Sequence, residues 1–326
     1  MKPKLEDVAQ LAGVSPTTVS RVINNHGAIS AKTRQAVQMA MDQLHYQPNS
    51  LARSLQGKAT KLIGLIFYDI SHPFFAELVS RLEGILFEKG YKTILCNSAN
   101  NPDKERAYLK LLAANQVDGI IAGAHNEGIE EYQAYDLPII SFDRYLAAKI
   151  PIVSSDNAMG GRLAAEKLYL GGVRRPIIIS GVETKKSPTN GRTTGFQAFF
   201  KQQAIDVQQY VIPFETTAQL RRERLANLLT TSVCDGVFCT DDLTAIQLHQ
   251  VAQAHGIKVP DQLKIVGYDG TKFVRDYYPA LTTVVQPLEE IANTLVALLQ
   301  ERIQDMQVPL KAQYQLPVVL HQGQTA

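Results

Sequence analysis

The chain has 326 residues, 45% of them hydrophobic and 20% charged, with a formal net charge of +2. That length suits two or three domains of an ordinary globular protein, and no apolar run approaches a membrane span. The charge is unevenly placed: residues 1–61 hold eight Lys/Arg against three acids, a net +5, and the remainder holds 25 against 28, a net −3. A basic head on a mildly acidic body suits a polyanion met by the head alone.

The segment from Leu5 to Asn24, LEDVAQLAGVSPTTVSRVIN, reads as two short helices around a sharp turn. Leu5, Val8, Ala9 and Ala12 share a helix face, and Gly13 supplies the positive φ of a tight turn. Val14 is expected as a small plug, and Ser15-Pro16 as the cap and first turn of the second helix. Val19, Val22 and Ile23 then face inward and leave Thr17, Thr18, Ser20, Arg21 and Asn24 outside with no acid among them. Such a face suits the DNA major groove, where arginine pairs with guanine and hydroxyls reach bases or phosphates. An ordinary helical hairpin with a solvated face would carry the same pattern. Ser30 can cap a third helix bearing Val37, Ala40, Met41 and Leu44, which closes a three-helix head over residues 1–47.

These residues resemble the DNA-binding head of the LacI/GalR family of bacterial repressors, whose signature runs D-V-A and then V-S-x-x-T-V-S-R-V-x-N. The resemblance continues through 48–60, where Ala52-Arg53-Ser54-Leu55 matches the family's hinge motif. It implies that Ala52 and Leu55 touch DNA, Leu55 as a wedge in the minor groove at the operator centre. By itself the segment reads as a linker, or as a helix too short to persist alone in water. Pro16 occupies a base-facing family position without a side-chain donor, so less sequence reading is expected there.

From Lys61 onward, short apolar runs alternate with helical stretches. Strands are expected at 62–67, 92–96, 118–123, 138–142 and 151–155, and then at 176–180, 209–214, 235–240, 264–268 and 281–286. Helices are expected at 74–88, 105–114, 192–203, 220–229 and 243–255. Two such series predict an α/β core of two doubly wound parallel-sheet lobes behind an all-α head. In domain terms, the core spans 61–326, with a first lobe of about 61–159 and 288–312 and a second of about 160–286 and 313–326. Three segments should cross between the lobes, near 157–161, 286–288 and 312–315.

A cleft between such lobes lies at the carboxyl ends of the strands. The polar residues there are Asp69, Asp143, Arg144, Asp156, Asn157, Asp241, Asp242, Asp269 and Gln286, with Phe74 and Phe75 close by. Carboxylates accept paired hydrogen bonds from neighbouring hydroxyls and aromatic rings cover the faces of a sugar, so the set suggests a polyol site. Any one aspartate could equally be a helix cap. The resemblance to the family's sugar-binding core spans this whole region, including V-G-Y-D, P-A-L-T-T and Q-P at 266–269, 279–283 and 286–287. It places ligand positions on Phe74, Phe75, Asp143, Arg192, Asp241, Asp269 and Gln286. Within the family, the chain is most similar to the sucrose operon repressors of Gram-positive bacteria. The resemblance therefore implies a repressor dimer on palindromic double-stranded operator DNA, released by a small sugar or sugar-phosphate effector of the sucrose or fructose type. Arg144, Lys185, Lys186 and Arg192 leave the phosphorylated forms open.

The apolar residues Leu78, Leu82, Ile85 and Leu86, and Tyr108, Leu111 and Leu112, could supply a subunit face, although core packing explains them too. The lac repressor's tetramer-forming leucine heptads have no counterpart at Gln324-Thr325-Ala326. No Gly-x-Ser-x-Gly, His-Glu-x-x-His, P-loop or Gly-x-Gly-x-x-Gly motif occurs, and the seven histidines are scattered, so no enzyme activity, metal or cofactor is expected. The cysteines Cys96, Cys234 and Cys239 lie in apolar runs without metal spacing, as small core residues of a reducing compartment would. The start MKPKLEDV lacks the apolar region of a secretion signal, so a cytoplasmic protein, free or on the nucleoid, is expected. A secreted sugar-binding protein would lack the head. A global catabolite regulator of the same family, with a phosphorylated carrier protein as corepressor, would share it.

Overall fold

The computed structural model describes residues 3–23, 26–46, 59–123, 126, 128–182 and 187–326. The chain divides into two compact units, 1–60 and 61–326.

In the first unit, α1 (Leu5–Ala12), α2 (Pro16–Ile23) and α3 (Ala31–Gln43) enclose Val8, Ala9, Val19, Val37 and Ala40. Asp7 Oδ2 accepts from Lys4 N at 2.7 Å and tightens the start of α1. Gly13 ends that helix at φ 66°, the left-handed conformation that glycine adopts without strain. Ser15 Oγ accepts from Thr18 N at 3.2 Å and Ser30 Oγ from Thr33 N at 3.1 Å, so α2 and α3 both begin on a serine cap. Val14 is half-buried against this core rather than enclosed by it.

The second unit holds two six-stranded sheets. Its elements run β1 (Leu62–Phe67), α4 (Pro73–Glu88), β2 (Lys92–Asn97), α5 (Pro102–Ala114), β3 (Gly119–Gly123), α6 (Glu131–Ala134), β4 (Ile139–Phe142) and β5 (Ile152–Ser155). They continue with α7 (Asn157–Leu170), β6 (Pro176–Ser180), α8 (Asn190–Gln202), β7 (Gln208–Val211), α9 (Ala218–Thr231), β8 (Gly236–Cys239), α10 (Asp242–Ala254) and β9 (Lys264–Asp269). The last are α11 (Lys272–Tyr277), β10 (Thr282–Val285), α12 (Leu288–Gln304), β11 (Gln313–Leu316) and β12 (Val319–His321). The strand orders are β2-β1-β3-β4-β5-β11 in the first lobe and β7-β6-β8-β9-β10-β12 in the second. Every pairing is parallel except β10 with β12.

Strand alternation divides each lobe's core between the two sheet faces. Ile63, Leu65 and Phe67 of β1 join Leu78, Leu82 and Leu86 of α4 and Leu295 of α12, while Ile66 joins Leu109 and Leu112 of α5 on the other face. The four leucines Leu78, Leu82, Leu86 and Leu112 are therefore consumed by their own core and cannot supply a subunit face; Leu111 is the exposed one. Cys96 and Cys239 are buried and Cys234 half-buried, all as free thiols, and burial raises the Cys96 thiol to about 11.

Two lobe boundaries differ from the sequence expectation. Gln313–Leu316 belongs to the first sheet, beside β5, rather than to the second lobe. The crossing falls at 317–318, because Pro317 lacks an N–H for the ladder and ends the strand. Pro213 likewise follows the end of β7, which stops at Val211 rather than reaching residue 214. The first crossing is also earlier than expected, immediately after Ser155, since α7 already packs on α8 and the second sheet.

Helices α7 and α8 meet through glycine. A Cβ on Gly161 would lie 2.0 Å from Arg192 O, and one on Gly195 would lie 2.1 Å from Ala158 O. Neither obstacle is a flexible side chain, so the helices themselves must part. Gly161→Ala and Gly195→Ala are each expected to destabilise the protein by about 1–3 kcal/mol, read as a lowered midpoint in urea unfolding.

Candidate functional site: an interlobe cleft around Arg192

The C-terminal ends of the strands open into a cleft of about 890 Å³. After β1, Asp69 Oδ1 accepts from Ser71 N at 2.9 Å and Ser71 Oγ at 2.7 Å, a local turn that delivers the chain to α4. His72 caps α4 by accepting at Nδ1 from Phe74 N at 3.3 Å, and burial lowers its pKa against the opposing pull of Asp241 and Asp69. Phe74 stacks on Phe142 with centroids 5.7 Å apart and meets Phe75 edge-on, giving one wall an apolar face.

Two carboxylates occupy unusual backbone. Asp143, after β4, has φ 54°, and Asp269, the last residue of β9, has φ 125°. Side-chain-bearing residues avoid this region, and strain of this kind gathers at ligand sites. Both are buried, and between them lies Arg192 of α8, with Nη2 3.6 Å from Asp143 Oδ2 and Nη1 3.8 Å from Asp269 Oδ1. The guanidinium covers the Tyr268 ring at 3.8 Å and donates from Nε to Asn157 Oδ1 and from Nη1 to Thr240 O, each at 2.8 Å. Burial raises Asp269 to about 7 despite Arg192, and Asp241 adds to the rise.

Asp69, Phe74, Phe75, Asp143, Arg144, Arg192, Asp241 and Asp269 all line this one cleft. Arg144 Nη1 donates to Ser187 Oγ at 2.6 Å and Thr189 Oγ1 at 2.9 Å, which spans the two lobes. Asp241 also caps α10, accepting from Thr244 N at 2.8 Å, so the cap and cleft readings hold together. Gln286 is placed differently from expectation: it is buried behind Asp269, donating from Nε2 to Oδ1 at 2.8 Å, and is not part of the wall. Asp156 is a helix cap and Asp242 is enclosed by Thr283 and Gly270, so neither lines the cleft.

Sequence reasoning missed Tyr68, Asn126, Ser187, Phe214 and Arg221 in the wall. Tyr68 directly follows β1 and was discoverable by the same strand-end rule. Asn126 was not: it is held by the buried Glu105, whose carboxylate accepts from Asn126 Nδ2 at 2.6 Å and Tyr132 Oη at 2.7 Å. Burial raises the pKa of Glu105. Among the described residues, no group of three side chains has the placement to hold a metal, and no helix is long and apolar enough to cross a membrane.

In the head, Pro16, Thr17 and Arg21 are exposed on α2, and Thr18 and Ser20 are half-buried. Ser15 and Thr18 pair through their hydroxyls at 2.9 Å. Asn24, Ala52, Leu55, Lys185 and Lys186 lie outside the described residues.

Comparison with known proteins matches two regions of the chain. Residues 4–49 match the family model for bacterial regulatory proteins of the lacI family, and 165–326 match that of a periplasmic binding protein-like domain. The sucrose operon repressor of Pediococcus pentosaceus is 58% identical over the full length of both chains, and that of Streptococcus mutans is 51% identical, again over the full length of both. The structure of the lac repressor dimer bound to operator and the anti-inducer ONPF superposes with a TM-score of 0.84 at 25% identity, covering 100% of this chain and 99% of that one. A basic helix-turn-helix head, two parallel-sheet lobes and full-length relatives well above 30% identity lead to one conclusion: the chain belongs to the LacI family of bacterial regulatory proteins.

Proposed function

We propose that this chain is the repressor of a sucrose-utilisation operon, a dimer that holds palindromic operator DNA and releases it when a sugar of the sucrose or fructose type enters the cleft. The carrying observation is the pair of buried carboxylates on positive-φ backbone around Arg192, beside a phenylalanine wall. Aspartates held in this way accept hydroxyl donors in fixed directions, and the rings cover the apolar face of a sugar. Its relatives named as sucrose operon repressors supply the sugar class, and the lac repressor dimer on operator supplies the assembly. In the head, Arg21 reads a base, Thr17, Thr18 and Ser20 contact bases or phosphates, and Leu55 enters the minor groove.

Arg21→Ala is expected to weaken specific operator binding by about 1–3 kcal/mol and to relax one base position in each half-site. Titration of single-base operator variants reads both effects, and unchanged specificity would remove Arg21 from the base-reading set.

Asp269→Ala is expected to retain operator binding, because Asp269 belongs to the other structural unit, and to lose release by sucrose. Normal release from this variant would refute the pocket assignment. The raised pKa of Asp269 gives a second readout. Protonation is favoured in the folded state, so its contribution to stability is largest in acid and falls as pH rises toward about 7. Sugar hydroxyls donate to the ionised form, so binding releases a proton and strengthens as pH rises through about 7. Calorimetry across that range checks the slope, and Asp269→Asn should flatten it.

A further inference from the structure

Two of the three crossings between the lobes touch each other, and each also touches a cleft carboxylate. Ser155 ends β5 in the first sheet, and Gln286 follows β10 in the second. Ser155 Oγ donates to Gln286 Oε1 at 2.7 Å, and both residues are buried. The other end of the same amide is committed, since Gln286 Nε2 donates to Asp269 Oδ1. On the first crossing, Asn157 Nδ2 donates to Asp143 Oδ1 at 3.0 Å and to Ser155 O at 3.2 Å. Asn157 Oδ1 accepts from Arg192 Nε at 2.8 Å and Tyr268 Oη at 3.1 Å. Asp143 belongs to the first lobe, while Arg192 and Tyr268 belong to the second.

We propose that Ser155 and Asn157 are positioning residues that tie the angle between the lobes to occupation of the cleft. The inference rests on the sugar-released repressor reading above. Both amides are used at both ends, so neither can turn without leaving a buried donor or acceptor unpaired. Rotation about the crossings changes the Asp143-to-Arg192 separation that Asn157 spans and the Ser155-to-Asp269 separation that Gln286 spans. A sugar bound to Asp143 or Asp269 therefore favours one arrangement of the crossing amides over the other. Differential affinity of this kind is what an effector needs to shift a two-state equilibrium. Ser155 does not line the cleft, so it acts through Gln286 and not on the sugar.

The test measures coupling, defined as the ratio of operator dissociation constants with and without saturating sucrose, on the full-length protein by fluorescence anisotropy. Ser155→Ala is expected to keep operator affinity without sugar, and sucrose affinity without DNA, within about threefold of wild type, and to lower the coupling ratio about tenfold or more. Ser154→Ala is the control. Its buried hydroxyl accepts from Gln313 Nε2 at 3.1 Å, a bond contained within the first sheet, so the coupling ratio should not move. If Ser155→Ala fails to fold, Ser155→Cys, with a similar volume and a weaker donor, is expected to show a partial loss of coupling. Full coupling in the folded Ser155 variant overturns the inference, as does an equal loss in Ser154→Ala. Sucrose affinity that falls in step with coupling also overturns it, because that marks a direct binding role. A wild type whose operator affinity no sucrose- or fructose-type sugar alters overturns the functional reading together with this inference.

Discussion

A single guanidinium organises the core. Arg192 is buried and covers the ring of Tyr268, and a charge taken out of water is tolerated only where its donors are matched. Each match comes from a different part of the fold: Asp143 from the first sheet, Asp269 from the second, Thr240 O from the end of β8, and Asn157 from the start of α7. The approach of α7 to α8 over Gly161 and Gly195 brings Asn157 within reach of Arg192 Nε. Removing Arg192 would leave two buried carboxylates facing one another, a loss of about 3–5 kcal/mol for a broken buried pair. Helix packing and site chemistry are thus the same constraint seen from two sides.

The cluster is under-compensated by design of its environment: one guanidinium faces two carboxylates, with Asp241 close enough to raise Asp269 further. A ligand rich in hydroxyl donors relieves that imbalance without adding charge. The positive φ at both aspartates fits the same account, because strained backbone persists only where surrounding contacts over-determine it. Here those contacts are the ladder bond from Asp143 N to Val153 O and the bond from Gln286 N to Asp269 O.

Much of this was legible in the sequence because it rests on local rules. The Gly13 turn, the Ser15 and Ser30 caps and the spacing of Val8, Val19 and Val37 each speak for themselves. The strand-end rule gathers Asp69, Asp143, Arg144, Asp241 and Asp269, with Phe74 and Phe75 beside them, into one cleft, while Arg192 follows from the family resemblance alone. The helix α7 is harder to read. Gly160, Gly161, Ala164, Ala165 and Leu168 bury more than one side of α7, which blurs the amphipathic period. For Gln286, position along the chain cannot separate a residue facing the cleft from one bracing the carboxylate in front of it. The lobe of Gln313–Leu316 is hidden because two edge strands joined through Pro317 look alike until their pairing partners are known. Asn126 depends on Glu105, 21 residues earlier, and an acid among the charged residues of a helix's first turn gives no sign that it will be buried.

The position of the crossings explains why so small a buried layer can govern the lobe angle. β5 and β11 are the last two strands of the first sheet, and β10 and β12 the last two of the second, so all three crossings gather along one edge. Rotation about that edge opens the opposite side of the cleft most. The contact that bridges the lobes there, Asn100 with Glu215, joins two exposed residues for which water replaces a lost partner at little cost. It trims the closed arrangement without deciding it. The decision falls to groups that water cannot reach, the Ser155–Gln286 bond and the amides behind Asp143 and Asp269, where a bond lost on rotation leaves a buried donor or acceptor unpaired.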